Sequence, residues 1–286
     1  MIKEVRMKNN IKTILILSFL MFGCEDEKSD PEVGPVPDSF TKKVLIEEFT
    51  GAWCGYCPSG AEIIELLMEE NENILGVGIH SGDSMETLQA YFLETTYQNM
   101  GFPSGMVDRI QFDGYVSLNR GYWGYVSSLQ SMKTAVCGLA IKSEVNGNNA
   151  AIEVHVGFND SLQGDYRLTT YLIEDKVTGS GYGYDQANYY DGDSTSSFYG
   201  LGDPILNYEH NNTLRSVLSE ASGNQIPTSN LIPGGEFVET YTVDISSYEK
   251  SNLHVIAFVS VAGSYFTDHE IMNAQKSKIN GFQDWD

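Results

Sequence analysis

Two cysteines that stand three positions apart constrain this chain more than any other feature. Cys54 and Cys57 lie in the segment TGAWCGYCPSG, between an apolar run over residues 43–49 and a segment with helical spacing over residues 58–70. The pattern predicts a strand followed by a helix that begins near Cys57, with Pro58 where the helix needs no backbone N–H. Because unpaired N–H groups at a helix start favour an anion, we expect Cys54 to be an exposed, acidified nucleophile and Cys57 the resolving thiol.

The first residues of the chain have the pattern of a secretion signal. Four basic residues precede the nine-residue apolar run Ile14–Phe22, which is too short to span a bilayer but suits a signal peptide. The run ends at FGC, so Cys24 stands where a lipoprotein signal peptidase would cleave and acylate the chain. We therefore predict a signal peptide over residues 1–23 and lipidation of Cys24, with a plain secretory signal as the alternative.

The charge of the mature chain limits its partners. Removing residues 1–23 takes away four basic residues and one acidic residue, which leaves 13 basic against 38 acidic side chains. Such a surface repels phosphate backbones, so we expect no nucleic-acid partner and a membrane attachment through lipid alone. Residues 24–39 are acidic and then proline-rich, as in an extended tether.

The acids that follow Cys24 also indicate a location. They resemble the export signal that carries Bacteroidetes lipoproteins to the outer face of the outer membrane. The resemblance implies a lipid-anchored protein of the outer membrane that is exposed on the cell surface. The periplasmic face is the alternative.

Periodicity predicts a first domain of the α/β class over residues 40–136. Strand, helix and strand follow one another as a βαβ unit, which implies parallel pairing of two buried strands. An Asp-x-x-Glu capping box at Asp83 predicts a second helix, and Pro103 opens a third strand. The predicted elements are a strand over 43–49, a helix over 58–70, a strand over 73–80, a helix over 83–99, a strand near 102–109 and an amphipathic segment over 118–134.

The second half of the chain changes to a period of two. From Cys137 onward apolar and polar residues alternate, and Asn146 with Gly147 is a strong hairpin signal. We predict an all-β sandwich over residues 137–286, with helical character only around residues 213–220. Cys137 is expected to be a buried thiol.

The first domain resembles the thioredoxin fold in more than its cysteines. Glu48 and Phe49 occupy the strand positions where thioredoxins carry a buried acid and an aromatic residue, and Pro103 matches their cis-proline. The resemblance implies that Glu48 relays a proton for Cys57 and that Pro103 holds substrate backbone. The alternative for Glu48 is an exposed acid paired with a lysine. Candidate supporting residues are Trp53, Tyr56 and His80, for the last of which a capping role is the alternative.

Two other uses of the cysteine pair compete with a redox couple. A zinc site needs four ligands, and neither Cys137 nor the five histidines show a second paired spacing, so we predict no metal and no cofactor. A redox-inert disulfide stays open, although a four-residue loop is a poor staple because it gives little stabilisation.

Signals for a site in the second half are weaker. Residues 182–203 are rich in Tyr, Gly, Ser and Asp, a composition that suits either an adaptable recognition loop or a plain surface loop. Asp191 and Asp193 match no EF-hand spacing. The segment YEHNNTLR, with His210 and Arg215, favours a packing element over a site.

Several segments together resemble one family. They are the lipoprotein-like start, VLIEEFTGAWCGYCPSG, GIHSGD, GFPSGMVDR, YEHNNTLR and the late VIAFV with IMNAQ. This chain is similar to the outer-membrane lipoproteins of Bacteroidetes related to the 28-kDa outer membrane protein. The resemblance implies a thioredoxin-like domain joined to a β-sandwich on a lipid anchor. We expect a cell-envelope thiol–disulfide oxidoreductase that acts on protein thiols or disulfides, with a surface binding or adhesion module as the alternative.

Overall fold

The computed structural model describes residues 31–286, which form a mixed α/β structure built mostly from strands. The predicted signal peptide and Cys24 lie outside the described residues. The strands of residues 31–286 are β1 (Val44–Thr50), β2 (Ile74–His80), β3 (Ser104–Val107), β4 (Leu118–Asn119), β5 (Cys137–Asn146), β6 (Asn149–Phe158), β7 (Tyr166–Glu174), β8 (Thr213–Val217), β9 (Asn224–Gln225), β10 (Glu236–Asp244), β11 (Leu253–Val261), β12 (Ile271–Lys278) and β13 (Phe282–Gln283). The α-helices of the same range are α1 (Pro58–Glu70), α2 (Ala90–Thr96) and α3 (Trp123–Ser131).

The predicted βαβ unit is confirmed. Strands β1 and β2 pair in parallel across α1, and β1 pairs on its other side with the antiparallel strand β3, which β4 follows. Helix α1 lies close against β2, where a Cβ at Gly76 would clash with Ile64. The apolar face of this unit packs Ile46, Ile64 and Trp123 into one buried cluster.

The large sheet does not end with the first half of the chain. Its order is β12-β11-β7-β8-β2-β1-β3-β4, with β9 beside β7, so strands from both predicted domains share one hydrogen-bonded sheet. Strand β8 joins the halves, since Gly78 of β2 pairs in parallel with Thr213 of β8. Residues 33–286 form one compact unit. The boundary predicted at residue 137 therefore does not coincide with a break in the sheet.

The second half of the chain contributes two packed layers of strands. A four-stranded sheet of order β10-β6-β5-β13 packs against β7 and β11 of the large sheet. Along β11, Val255 and Ala257 face this layer while Ile256 and Phe258 face the opposite core, as the two-residue period of a strand requires. One layer therefore belongs to the second half alone, and the other is part of the sheet shared with the first half.

The helix predicted over residues 83–99 is wrong in its first half, and the helical character predicted around residues 213–220 is wrong. The Asp83 carboxylate accepts hydrogen bonds from the N–H groups of Met85 and Ala52, and Glu86 accepts from Gly82, so no capping box forms. Helix α2 consequently begins only at residue 90. Residues 213–217 are strand β8 rather than helix, because pairing with β2 and β7 outweighs local helical spacing.

The predicted segment 118–134 is composite. It contains β4, a single 3₁₀ turn over residues 120–122 and then α3. No helix within residues 31–286 is long and apolar enough to cross a membrane.

A buried ion pair fastens the two halves of the sheet together. Arg109, just after β3, donates two hydrogen bonds of 2.7 Å to the carboxylate of Glu47 on β1. Its guanidinium also donates to the hydroxyls of Tyr97, just after α2, and Tyr171 on β7, each at 2.9 Å. The guanidinium carbon lies 4.8 Å from the ring centre of Phe258 on β11. One side chain therefore links elements that are more than 200 residues apart in sequence.

The residue before Arg109 makes a second buried pair. Asp108 accepts a 2.7 Å hydrogen bond from Lys42 and one of 2.9 Å from the backbone N–H of Leu45. Its own carbonyl accepts from Ile271 at the start of β12. Asp108 and Arg109 both have positive φ, 46° and 52°, which turns their two side chains to opposite buried partners.

We expect Glu47→Ala to lower the free energy of unfolding by about 3–5 kcal/mol, because it leaves a buried guanidinium without its counter-charge. Urea denaturation followed by circular dichroism measures the change. The matched control is Lys133→Ala, which breaks an exposed ion pair with Glu270 and should cost less than about 1 kcal/mol. Equal losses in the two variants would contradict the role given to Arg109.

Candidate functional site

The two cysteines of the motif are joined to each other at the start of α1. Cys54 and Cys57 form a disulfide, with Cα atoms 5.4 Å apart. Cys57 is the residue before the helix and Pro58 is its first residue, as the sequence predicts. The backbone N–H of Cys54 donates to the carbonyl of Gly51, so a tight turn connects β1 to the disulfide.

The expectation that Cys54 is exposed is wrong. Cys54 is only 5 % exposed and Cys57 only 1 %. The flanking side chains of Trp53 and Tyr56 are the exposed members of the motif. The disulfide is therefore sheltered, and its cover is a segment from the second half of the chain.

Residues 186–190, here called the strap, run beside the disulfide loop. The N–H of Ala187 donates to the carbonyl of Ala52 at 2.7 Å, and the N–H of Tyr189 donates to the carbonyl of Gly55 at 2.9 Å. The buried amide of Gln186 donates to the carbonyl of Cys54 at 2.9 Å. These three hydrogen bonds fix the strap to the backbone on either side of Cys54.

Tyrosine rings complete the contact between the strap and the disulfide loop. The Tyr189 ring occupies the space that a Cβ at position 55 would need, so only glycine fits at this position. Tyr56 makes edge-on ring contacts with Tyr189 and Tyr190, at centroid distances of 5.1 and 5.7 Å. The hydroxyl of Tyr190 also hydrogen-bonds Ser59 on α1.

Pro103 lies across from the first turn of α1. The Phe102–Pro103 peptide bond is cis, and the Pro103 Cβ is 3.1 Å from where a Cβ at Gly60 would stand. The Phe102 ring packs against Trp53 with centroids 5.1 Å apart. Trp53 is held in turn by a 2.7 Å hydrogen bond from its indole N–H to the carbonyl of Ser81. The disulfide loop and the Pro103 loop are therefore neighbours.

Glu48 is a buried acid beneath the disulfide. It is 2 % exposed, and its Oε1 has no hydrogen-bond partner among the described residues. Burial raises the pKa of Glu48 well above the ordinary carboxyl value, and the nearby charge of Arg120 offsets only part of this rise. Glu48 and Cys57 line the same small cavity of about 20 Å³. The buried acid and the inner cysteine therefore border the same small space.

The alternative of an exposed Glu48 paired with a lysine is wrong. Lys42 pairs with Asp108, and Lys43 pairs with Asp286. Both lysines are therefore held by other acids.

His80 belongs to a polar cluster at the end of β2. Its Nδ1 lies 2.7 Å from the carboxylate of Asp83, which also accepts the Ala52 N–H at the edge of the motif. Burial tends to raise the pKa of Asp83, but its hydrogen bond with His80 and the charge of His80 hold that pKa below the usual value. His80 therefore steadies the turn that precedes Cys54 through Asp83.

The structure adds site residues that the sequence did not indicate. His210 packs edge-on against His80 with ring centres 5.1 Å apart, and it lines the small cavity together with Tyr208 and Gln186. Burial lowers the pKa of His210 to about 4, so this ring is neutral at ordinary pH. The segment YEHNNTLR contains Tyr208 and His210, but no spacing connects it to the cysteines, and nothing in the sequence singled out Gln186.

A groove of about 620 Å³ adjoins the motif beside Tyr56. It lies between Tyr56 and Pro103 and is lined by aromatic rings. Arg120 is the basic residue among its lining side chains and donates a 3.0 Å hydrogen bond to the hydroxyl of Tyr190, so the strap borders the groove. The rings that line it are Tyr56, Phe102, Phe112, Tyr115 and Tyr122.

The other candidate residues lie outside the site around the disulfide. Cys137 is a free buried thiol, as predicted, and burial raises its pKa to about 12. Asp191 and Asp193 accept hydrogen bonds within their own loop, from Gly202 and Thr195. Within residues 31–286 no group of three or more His, Cys, Asp or Glu side chains is arranged to hold a metal ion.

Two solved structures resemble this chain. HBP35 of Porphyromonas gingivalis is 22% identical over 85% of this chain and 76% of that chain, with a TM-score of 0.69. Protein AGR_C_4864 from Agrobacterium tumefaciens is 11% identical over 84% of this chain and 96% of that chain, with a TM-score of 0.54. At these identities the likeness shows a shared fold alone. No curated protein matches the chain significantly.

A family model provides the assignment. The model described as outer membrane protein Omp28 matches residues 90–283, more than half of the chain. The matched range begins after the Cys54–Cys57 motif, so the assignment carries the architecture and not the redox chemistry. This chain belongs to the Omp28 outer membrane protein family.

Proposed function

We propose that this protein is a thiol–disulfide oxidoreductase of the cell envelope. The observation that carries the proposal is the Cys54–Cys57 disulfide at the start of α1, with the buried acid Glu48 sharing a cavity with Cys57. A buried carboxyl of raised pKa beside the inner sulfur is what proton transfer to that sulfur requires. Its substrates are protein thiols or disulfides.

A thioredoxin-like arrangement supports the same proposal. The strand order β2-β1-β3-β4, the disulfide between β1 and α1, and Pro103 immediately before β3 match that fold. In this arrangement Pro103 holds the backbone of the substrate beside the disulfide. Trp53 and Tyr56 flank the reacting sulfur, and His80 steadies the turn before it.

The proposed reaction is an exchange of disulfides. A substrate thiolate attacks the sulfur of Cys54, the Cys54–Cys57 bond breaks, and its electron pair leaves on the sulfur of Cys57. The protonated carboxyl of Glu48 gives its proton to that thiolate. A second substrate thiolate then attacks the substrate sulfur of the mixed disulfide, which releases an oxidised substrate and the Cys54 thiolate. The reverse sequence reduces a substrate disulfide and re-forms the Cys54–Cys57 bond, with Glu48 as the base that takes the proton from Cys57.

The proposed location follows from the family and the start of the chain. We infer that cleavage before Cys24 and its acylation anchor the mature chain in the outer membrane, on the cell surface. Membership in an outer membrane protein family supports the membrane, and the acidic start of the predicted tether supports a domain held away from it. The end of the predicted tether, from residue 33, instead packs on the domain, where Gly34 hydrogen-bonds Asp284 and Trp285.

A surface binding module with an inert disulfide is the second candidate. The low exposure of Cys54 and the hydrogen bonds of the strap favour it, because both restrict access to the disulfide. In that case the aromatic groove beside Pro103 does the binding. Activity of the purified mature protein separates the two candidates.

We expect the mature protein to accelerate the reduction of insulin disulfides by dithiothreitol and Cys54→Ser to lower this rate at least about a hundredfold, because the nucleophile is lost. The turbidity of precipitating insulin chains measures the rate. Cys137→Ser, which changes a buried thiol outside the motif, is the control and should keep full activity. If the wild-type protein does not raise the rate of insulin reduction above the uncatalysed rate, the enzymatic proposal is wrong and the binding module is favoured.

We expect Glu48→Gln to slow insulin reduction by about tenfold or more at neutral pH, because the proton donor to Cys57 is lost. Stability gives a second readout. Because the pKa of Glu48 is raised on folding, the folded state binds this proton more tightly than the unfolded chain does. The stability that goes with the protonated carboxyl is fully present below the unfolded-state pKa, and it is lost as the pH rises through the folded-state pKa. The stability of Glu48→Gln relative to wild type should therefore grow above the ordinary carboxyl range, by up to about 1.4 kcal/mol per pH unit.

Chemical denaturation at several pH values measures this relative stability. Glu69→Gln, on the exposed side of α1, is the matched control and should shift neither the rate nor the pH dependence. A stability difference between Glu48→Gln and wild type that does not vary with pH would show that Glu48 does not titrate in the way its burial demands.

A further inference from the structure

The strap covers part of the disulfide loop. Its backbone and Gln186 occupy the carbonyls of Ala52, Cys54 and Gly55, so a partner chain cannot pair with these groups. The neighbouring groove beside Tyr56 and Pro103 contains no strap residue in its lining. Because Cys54 is only 5 % exposed, the strap leaves little room for an approach to its sulfur.

We propose that Tyr189 and the strap determine which partners the disulfide accepts. The proposal rests on the oxidoreductase function and adds its selectivity. The strap admits small thiols and extended peptide segments along the groove and excludes the broad surface of a folded dithiol protein. A folded partner reacts only when the strap moves aside.

The position of Tyr189 carries this inference. Its ring covers Gly55, one of the two residues between the cysteines, and makes an edge-on contact with Tyr56, the other, at a centroid distance of 5.1 Å. A flat partner surface that reaches Cys54 must occupy the volume above this loop, which the ring fills. Tyr189 is nevertheless 62 % exposed, so the ring lies on the surface as a cover and is not part of the core.

One end of the strap is held by Tyr190, while Gln186 and Asn188 of the same segment are buried. Tyr190 holds it through hydrogen bonds of its hydroxyl with Ser59 on α1, at 2.8 Å, and with Arg120 in the groove, at 3.0 Å. Side-chain hydrogen bonds of this kind contribute little net free energy each, because water replaces them when they open. Tyr190 thereby couples the strap to the groove that a substrate enters.

The chemistry at the disulfide is the same for every partner. A partner thiolate bonds to the sulfur of Cys54, the bond to Cys57 breaks, and Glu48 supplies the proton that Cys57 takes up. A second partner thiolate completes the reduction and leaves the partner as a disulfide. The strap acts before this step, on access to the Cys54 sulfur, so it changes the rate constant of attack and not the products.

The test compares two thiols on the purified mature protein. The rate constants for reduction of the Cys54–Cys57 disulfide are measured with glutathione, a small thiol, and with reduced thioredoxin, a folded dithiol protein. Acid quenching followed by maleimide labelling reports the reduced fraction. The variants are Tyr189→Ala and Tyr190→Phe, the second of which removes only a hydroxyl. The control is Tyr182→Ala, at a 79 % exposed position of the same tyrosine-rich segment.

In Tyr189→Ala we expect the rate constant with reduced thioredoxin to rise by about fivefold or more, as loss of one ordered ring contact allows, and that with glutathione to change less than about twofold. Tyr190→Phe should raise the thioredoxin rate in the same direction, and Tyr182→Ala should change neither rate. Unchanged rates in both Tyr189→Ala and Tyr190→Phe, or an equal rise with both thiols, would overturn the proposal.

The same data separate this inference from the proposed function. A wild-type disulfide that reacts readily, with a ratio of the two rate constants unaffected by Tyr189→Ala, contradicts the strap and leaves the oxidoreductase standing. A disulfide that is inert in wild type and reactive in Tyr189→Ala supports the strap and contradicts the function. Inertness in both proteins contradicts both.

Discussion

The buried pairing of Arg109 with Glu47 is the constraint on which the architecture depends. A guanidinium in the protein interior is stable only when its charge is matched and its N–H groups are satisfied. Here Glu47 supplies the charge, while the hydroxyls of Tyr97 and Tyr171 accept further hydrogen bonds. Because these partners come from β1, the end of α2 and β7, satisfying one side chain requires both halves of the chain to be in place.

The large sheet, to which both halves of the chain contribute strands, explains how the second half reaches the disulfide. Strand β8 pairs with β2 at Thr213, and the residues just before it bring His210 to the ring of His80. The segment between β7 and β8 contains the strap, which therefore lies beside the disulfide loop. A separate second domain on a linker would not hold these residues at a fixed distance from the cysteines.

The sequence predicted the elements around the cysteines well. Strand β1, helix α1 and strand β2 have strong local periodicity, and Pro58 marks the helix start because it lacks an N–H. It also predicted that the thiol of Cys137 is buried. It missed β8, because five residues of mixed spacing acquire their strand conformation from neighbours on both sides.

By itself, the sequence determined the position of the cysteine pair at a strand-to-helix junction, since that follows from residues close in the chain, while the candidate acid Glu48 came from the resemblance to the thioredoxin fold. Only the tertiary structure decided that Cys54 is sheltered and that Gln186 and Tyr189 shelter it. No local pattern encodes that contact, because it joins residues more than 130 positions apart through backbone hydrogen bonds that almost any residue could make.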